Sequence, residues 1–290
     1  MKTLSTFSIV AFDPQAAEWG VAVQSKFLAV GALVSWAQAG AGAVATQSYV
    51  NVAFGPDGLA LMAQGMSAQD ALDQLVSADS GRDRRQVGLV DAQGRTATFT
   101  GSGCHDWAGG ITGTHYAVQG NILVGGETVE AMAGSFERSD GELADRLVEA
   151  LAAGQAAGGD RRGQQSAAVL VVRHGGGYGG ATDRYLDLRV DDDPQPIERL
   201  KGLVDLHHLF FKPPVPGEMV PIEGDLAREV QQILRWGGYY DGPSTGVYDP
   251  ATRQALTALI GTENFEERYD EENGLISSQV MGILREKFTR

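Results

Sequence analysis

Thr6-Phe7-Ser8-Ile9-Val10-Ala11-Phe12-Asp13 decides how this chain is read. Phe7, Ile9 and Ala11 alternate with Thr6 and Ser8, the period of two that marks a strand. After an Asp13-Pro14 turn, Trp19-Gly20-Val21-Ala22-Val23-Gln24-Ser25-Lys26 reads as a second strand. A hydroxyl residue therefore heads one strand near a lysine that ends the next.

Outward from this pair, the first two hundred residues are rich in strand signals. Short apolar runs sit between clustered glycines: residues 42–48, 86–91, 96–100, 116–119, 166–173 and 184–190. Asp91-Ala92-Gln93-Gly94 predicts a hairpin between the second and third of these. Ser67-Ala68-Gln69-Asp70 starts a helix with Ala68, Ala71, Leu72 and Leu75 on one face. Two more helices, about 127–136 and 141–153, carry stripes of Val129, Met132 and Phe136 and of Leu143, Leu147 and Leu151. Strands, helices, more strands and a helical pair suit two helix layers outside two packed sheets.

A helix is expected from Pro196 to about Phe210, ended by Lys212-Pro213-Pro214-Val215-Pro216-Gly217, a stiff extended linker. Beyond it, helices are expected over 225–236, 249–260 and 275–288. The expected organisation is one domain over 1–211, a proline-rich linker over 212–224 and a small helical domain over 225–290. That tail is near the lower size limit for a self-standing core.

The formal charge of −14 disfavours nucleic acid and anionic membrane surfaces, which would be approached against long-range repulsion. One cysteine, Cys104, excludes an internal disulfide and any multi-cysteine zinc site. His105, His115, His174, His207 and His208 show no metal-ligand spacing, so neither metal nor other cofactor is expected. Absence of a long apolar run or a signal-like start points to a cytoplasmic protein.

Residues 6–11, Val21-Ala22-Val23-Gln24-Ser25-Lys26-Phe27, Gly42-Ala43-Val44-Ala45-Thr46-Gln47, Gln119-Gly120-Asn121, residues 162–168 and residues 185–192 together resemble the DUF1028 family, a bacterial group placed among the Ntn hydrolases. The resemblance runs from Thr6 to about Leu206. It implies an α+β fold, a four-layer αββα sandwich with a pocket where the two sheets open. It also implies an N-terminal nucleophile, in which a terminal threonine's own α-amine takes the hydroxyl proton. The tail, through Val230-Gln231, residues 237–243, Gly246-Val247-Tyr248, Thr252 and Ala255-Leu256, is similar to the peptidoglycan-binding repeat of wall hydrolases.

The expected function is hydrolysis of a small amide, ureido compound or short peptide. The alternative is a catalytically silent protein that uses the same pocket to hold a ligand or partner. Thr6 is the candidate nucleophile, although Met1 to Ser5 precede it and cleavage at Ser5-Thr6 would be needed; equally, it is only the first residue of a strand. Lys26 ends either in solvent or where its charge tunes that nucleophile. Asn121 is the candidate oxyanion donor, or else a turn residue. Ser8, Thr46, Gln47, Gln165, Ser166 and Asp187 are the candidates for lining a substrate pocket. A peptidoglycan fragment at the tail and pairing into a homodimer complete the expected partners.

Overall fold

The computed structural model describes residues 6–288. Contacts divide the chain into two compact units between Val204 and Asp205. The first unit opens with β1 (Thr6–Asp13), β2 (Glu18–Ser25), α1 (Gly31–Val34), β3 (Ser35–Gln38), β4 (Gly42–Ser48), α2 (Phe54–Ala63), α3 (Ala68–Ala78) and β5 (Arg85–Asp91). It continues with β6 (Thr96–Thr100), β7 (Gly109–Gly113), β8 (Tyr116–Asn121), α4 (Glu127–Arg138), α5 (Leu143–Ala156), β9 (Ser166–Val172) and β10 (Arg184–Val190), and α6 (Pro196–Phe211) spans the division.

The fold is mixed α and β with antiparallel sheets. One sheet has the order β10-β9-β2-β1-β8-β7 and the other β3-β4-β5-β6. β1 pairs with β2 from Thr6↔Ser25 to Asp13↔Glu18, and with β8 from Thr6↔Asn121. The turn between β1 and β2 is set by the Asp13 carboxylate, which accepts the amides of Gln15 and Ala16. Asp91 closes the expected β5–β6 hairpin by accepting the amides of Gln93 and Arg95. Ser67 caps α3 through the Asp70 amide at 3.1 Å, as the capping pattern predicts.

Three apolar clusters fill this unit. Phe7, Ile9 and Ala11 pack with Met132, Phe136, Leu147 and Leu151 of α4 and α5. The alternate residues of the same sheet, Val10, Val21 and Val23, pack with Ala43, Ala45 and Val90 of the other. On that sheet's second face, Val44, Val87 and Leu89 meet Leu59, Met62, Leu72 and Leu75 of α2 and α3. Both faces of β1 are thus covered, and Thr6 and Ser8 are fully buried with the rest.

The sequence reading lacks α2, whose Phe54-Gly55-Pro56-Asp57-Gly58 start reads as loop. Pro56 sits in the first turn, where its missing N–H has no partner to lose. Gly55 is required by closeness, since a Cβ there would lie 2.3 Å from the Trp36 ring.

In the second unit, β11 (Met219–Pro221), α7 (Gly224–Trp236), α8 (Pro250–Glu263), β12 (Tyr269–Asp270), β13 (Leu275–Ser277) and α9 (Ser278–Phe288) surround a core of Val230, Leu234, Leu256, Leu259, Ile276 and Met281. A small sheet in the order β11-β13-β12 accompanies the helices. Met219–Pro221 of the proline-rich stretch is paired strand, and Leu275–Ser277 is strand rather than the first turn of the last helix. Buried Gln231 ties the loop before α8, donating to Thr245, Val247 and Thr252 and accepting the Gly246 amide. Among the described residues, no helix is long and apolar enough to cross a membrane.

Candidate active site

Four polar residues lie side by side across one end of the six-stranded sheet. Thr6 pairs with Ser25 and with Asn121, and Ser25 pairs with Ser166. All four are fully buried. The Thr6 hydroxyl donates to Ser25 Oγ at 3.2 Å.

Facing this row, Gln47 of β4 and Gln86 of β5 are paired neighbours on the second sheet. Gln47 accepts the Ser8 hydroxyl at 2.7 Å and donates to Gln86 Oε1 at 2.9 Å and to the Thr6 carbonyl at 3.3 Å. Gln86 Oε1 also accepts the Asn121 amide at 2.9 Å, while its own Nε2 donates to Thr100, Gly109 and Gly120. Gln119 closes the cluster by donating to Ser8 Oγ at 2.7 Å. Its carboxamide fits because residue 88 is glycine; a Cβ there would lie 2.0 Å from Gln119 Oε1. The bonds join the two sheets through amides and hydroxyls, so this cluster holds its shape without charge.

One residue beyond the row in β2, β8 and β9, the chain opens a cleft of about 840 Å³. Lys26, Phe27 and Leu28 form one wall, Ile122 with Arg161, Arg162 and Gln165 another, and His105 and Asp106 a third. Asp160, buried below it, accepts the Lys26 backbone amide and the Arg162 amide at 2.8 Å each, and pairs with the Arg162 guanidinium at 3.2 Å. Lys26 Nζ donates to the Gln164 carbonyl at 3.0 Å, and Arg161 Nη2 to the Leu123 carbonyl at 3.1 Å. Ser166 Oγ donates to the Phe27 carbonyl and accepts the Val30 amide at 3.1 Å, which fixes the loop that carries Lys26. Ile122 stands at φ 53°, a left-handed backbone that a β-branched residue adopts only when its surroundings impose it.

Thr6, Ser8, Gln47 and Asn121 are therefore brought together, Lys26 and Gln165 reach the cleft, and Ser166 lies between the two. Gln165 donates to Asp192 at 3.0 Å. Among the described residues no hydrogen bond joins Thr6 to Lys26, and Ser5, with the expected cleavage at Ser5-Thr6, lies outside them. Thr46 points to the other face of its sheet and donates to the Asn51 carbonyl at 3.2 Å. Asp187 sits mid-strand on β10, opposite Leu170, paired with Arg184 and Arg189. Burial pushes the Cys104 thiol up from its ordinary value, and its Sγ donates to the Arg85 carbonyl, an arrangement that disfavours a thiolate.

Sequence reasoning missed Gln86, Gln119, Asp160 and Arg161 as site residues. Gln86 and Gln119 stand out in hindsight as amides within apolar strands, and Gly158-Gly159-Asp160-Arg161-Arg162-Gly163 as a charged run between glycines before a core strand.

The sequence model of the "Family of unknown function (DUF1028)" matches residues 6–200. That of a "Putative peptidoglycan binding domain" matches residues 209–284. A crystal structure of a DUF1028 protein from Silicibacter pomeroyi is 32% identical with a TM-score of 0.65, covering 70% of this chain and 89% of that one. Anbu (ancestral beta-subunit) from Yersinia bercovieri is 12% identical with a TM-score of 0.32, covering 72% of this chain and 98% of that one. Among curated proteins none matches.

Proposed function

The chain belongs to the DUF1028 family, and from that premise we propose that it is an N-terminal-nucleophile amide hydrolase on a four-layer αββα sandwich. Its substrate class is a small amide, ureido compound or short peptide. The observation that carries this reading is the row Ser25–Thr6–Asn121, in which a threonine heads the central strand one residue from a cleft lined by Lys26.

In this reading, cleavage of the Ser5–Thr6 peptide frees the Thr6 α-amine. The amine takes the hydroxyl proton as Oγ1 attacks the substrate carbonyl. The C–N bond then breaks, its nitrogen receives that proton, and water hydrolyses the ester left on Thr6. Lys26 contributes positive charge beside the reacting groups, which favours a neutral amine as base. Asn121, the expected oxyanion donor, already gives its amide to Gln86, so in this reading it acts instead as a positioning residue for the strand next to Thr6. Ser8 is the weaker nucleophile candidate, since its hydroxyl is held by Gln47 and Gln119 inside the cluster.

A catalytically silent binding protein is the second reading, favoured by the complete burial of Thr6. The match to a peptidoglycan-binding domain supports a muropeptide fragment as the ligand of the tail.

The test is the intact mass of the purified chain, followed by labelling with a threonine-directed β-lactone. The expected result is loss of residues 1–5 and one adduct on Thr6, abolished by Thr6→Ala and retained by Ser8→Ala. An uncleaved Ser5–Thr6 peptide with no adduct would overturn the hydrolase reading in favour of the binding one.

A further inference from the structure

The cleft is more basic than the chain that builds it. At a formal charge of −14, the protein as a whole repels anions. Yet Lys26, Arg161 and Arg162 line the cleft against a single lining carboxylate, Asp106. Of the three cations, Arg162 is matched by buried Asp160 at 3.2 Å. Lys26 and Arg161 have no carboxylate within ion-pair distance among the described residues.

Both are nonetheless held in place. Each makes a hydrogen bond to a backbone carbonyl, that of Gln164 for Lys26 and that of Leu123 for Arg161. An ammonium has three donors and a guanidinium five, so each keeps donors available after this tether. The tethers also lower the conformational cost of gripping a ligand, because side chains otherwise lose rotamer freedom on binding. Two cations without a carboxylate partner are thus anchored in the lining of one cleft. Phe27, Leu28 and Ile122 supply apolar surface on the same walls.

We infer that the cleft selects an amide that carries an anionic group, carboxylate being the simplest, gripped by Lys26 and Arg161 while its apolar part lies against Phe27, Leu28 and Ile122. This rests on the reading of the cleft as the substrate site and adds the charge of the substrate to it. The chain's net charge of −14 gives no hint of such a site, because the cations are concentrated in the cleft. Arg161 is assigned an anion-binding role that the sequence reading gave to no residue.

The test uses the full chain and two probes that differ in charge alone, N-acetyl-L-alanine and N-acetyl-L-alaninamide, titrated by ligand-observed NMR at low salt. The carboxylate is expected to bind about tenfold more tightly, the scale of one charge-assisted hydrogen bond over a neutral one. Arg161→Gln and Lys26→Gln, both at exposed positions, should each remove most of that preference. Added salt should erode it. Equal affinities, no saturable binding of the carboxylate, or a preference that survives in the double variant would overturn the inference.

Thr6→Ala separates this result from the hydrolase reading. Binding needs no nucleophile, so the preference should persist in that variant. If β-lactone labelling fails while the preference holds, the nucleophile is wrong and the anion site stands. If labelling succeeds and the preference is absent, only the anion site falls.

Discussion

The layer between the two sheets has two unlike ends. At one, Val10, Val21, Val23, Ala43, Ala45 and Val90 interdigitate as an apolar core. At the other, one or two pairs further along the same strands, Ser8, Gln47, Gln86, Gln119 and Asn121 fill the same space with amides and a hydroxyl bonded to one another. The backbone ladders are continuous through both, so the ladders do not account for the difference. The apolar end holds the sheets together by removing area from water and tolerates small shifts. The amide end is direction-dependent: each group has one geometry that satisfies it, and a slip strands buried donors. A layer that must keep its shape beside an open cleft is better built the second way.

The largest effect expected from breaking this contrast is at Gln86. Leucine there keeps most of the volume but strips partners from Gln47, Asn121, Thr100, Gly109 and Gly120. We expect Gln86→Leu to lower the unfolding free energy by about 4 kcal/mol in a urea titration, from several buried groups left unsatisfied. A loss under about 1 kcal/mol would mean that the amides are passengers on a layer held elsewhere.

Next comes the pH dependence of stability, where the amide end should be silent because it holds no titrating group. The far end of the same sheet is different. Glu18 opens β2 opposite Asp13, is 2% exposed and faces Arg173 at 2.8 Å. Burial pushes its carboxyl up from an ordinary 4.5 to about 7, against the pull of Arg173. The folded state then holds a proton that the unfolded chain has released. Stability from this group is therefore full below about 4.5 and is lost as pH rises to about 7, with a flat profile above. Glu18→Gln should remove up to about 3 kcal/mol of that decline and leave the cleft's ligand preference unchanged. A decline of the same size in Glu18→Gln would place the titrating group elsewhere.

At the apolar end, Val21→Ala opens a cavity in a fully buried position. The expected cost is about 2 kcal/mol in the same urea titration. Labelling at Thr6 should proceed at an unchanged rate, because no hydrogen bond of the amide cluster involves Val21. A slower labelling rate would show that the two ends are coupled.

Much of this contrast could be read from the chain before any coordinates. Alternation in residues 6–13 marked β1 as a strand, and the stripes of Met132 and Phe136 and of Leu147 and Leu151 gave the helices their buried faces. Thr6, Ser8, Gln47 and Asn121 were legible because hydroxyls and amides interrupt apolar strands. Gln86 and Gln119 carry the same signal, yet their importance lies in pairings across two sheets, and register between sheets is not a local property. Thr46 shows the converse. It adjoins Gln47, but successive strand residues face opposite ways, and which face meets the other sheet was not written in β4 alone. Arg161 was hidden for another reason: an exposed arginine in a glycine-flanked loop looks like surface charge until its bond to the Leu123 carbonyl and its place in the lining of the cleft are seen.

The smallest effect expected is at Thr98, where the cluster meets its border. Its hydroxyl has one proton and two acceptors, the Val87 carbonyl at 3.2 Å and Gln119 Oε1 at 3.4 Å. Both contacts are long, and the residue is only partly buried. Replacing it by the isosteric valine leaves Gln119 its bonds to the Ser8 hydroxyl and carbonyl. Thr98→Val should therefore cost about 0.5 kcal/mol, near the lower bound for a neutral hydrogen bond. If it instead costs as much as Gln86→Leu, the hydroxyl is what aims Gln119 at Ser8, and the amide end depends on its rim rather than on the pair of glutamines at its centre.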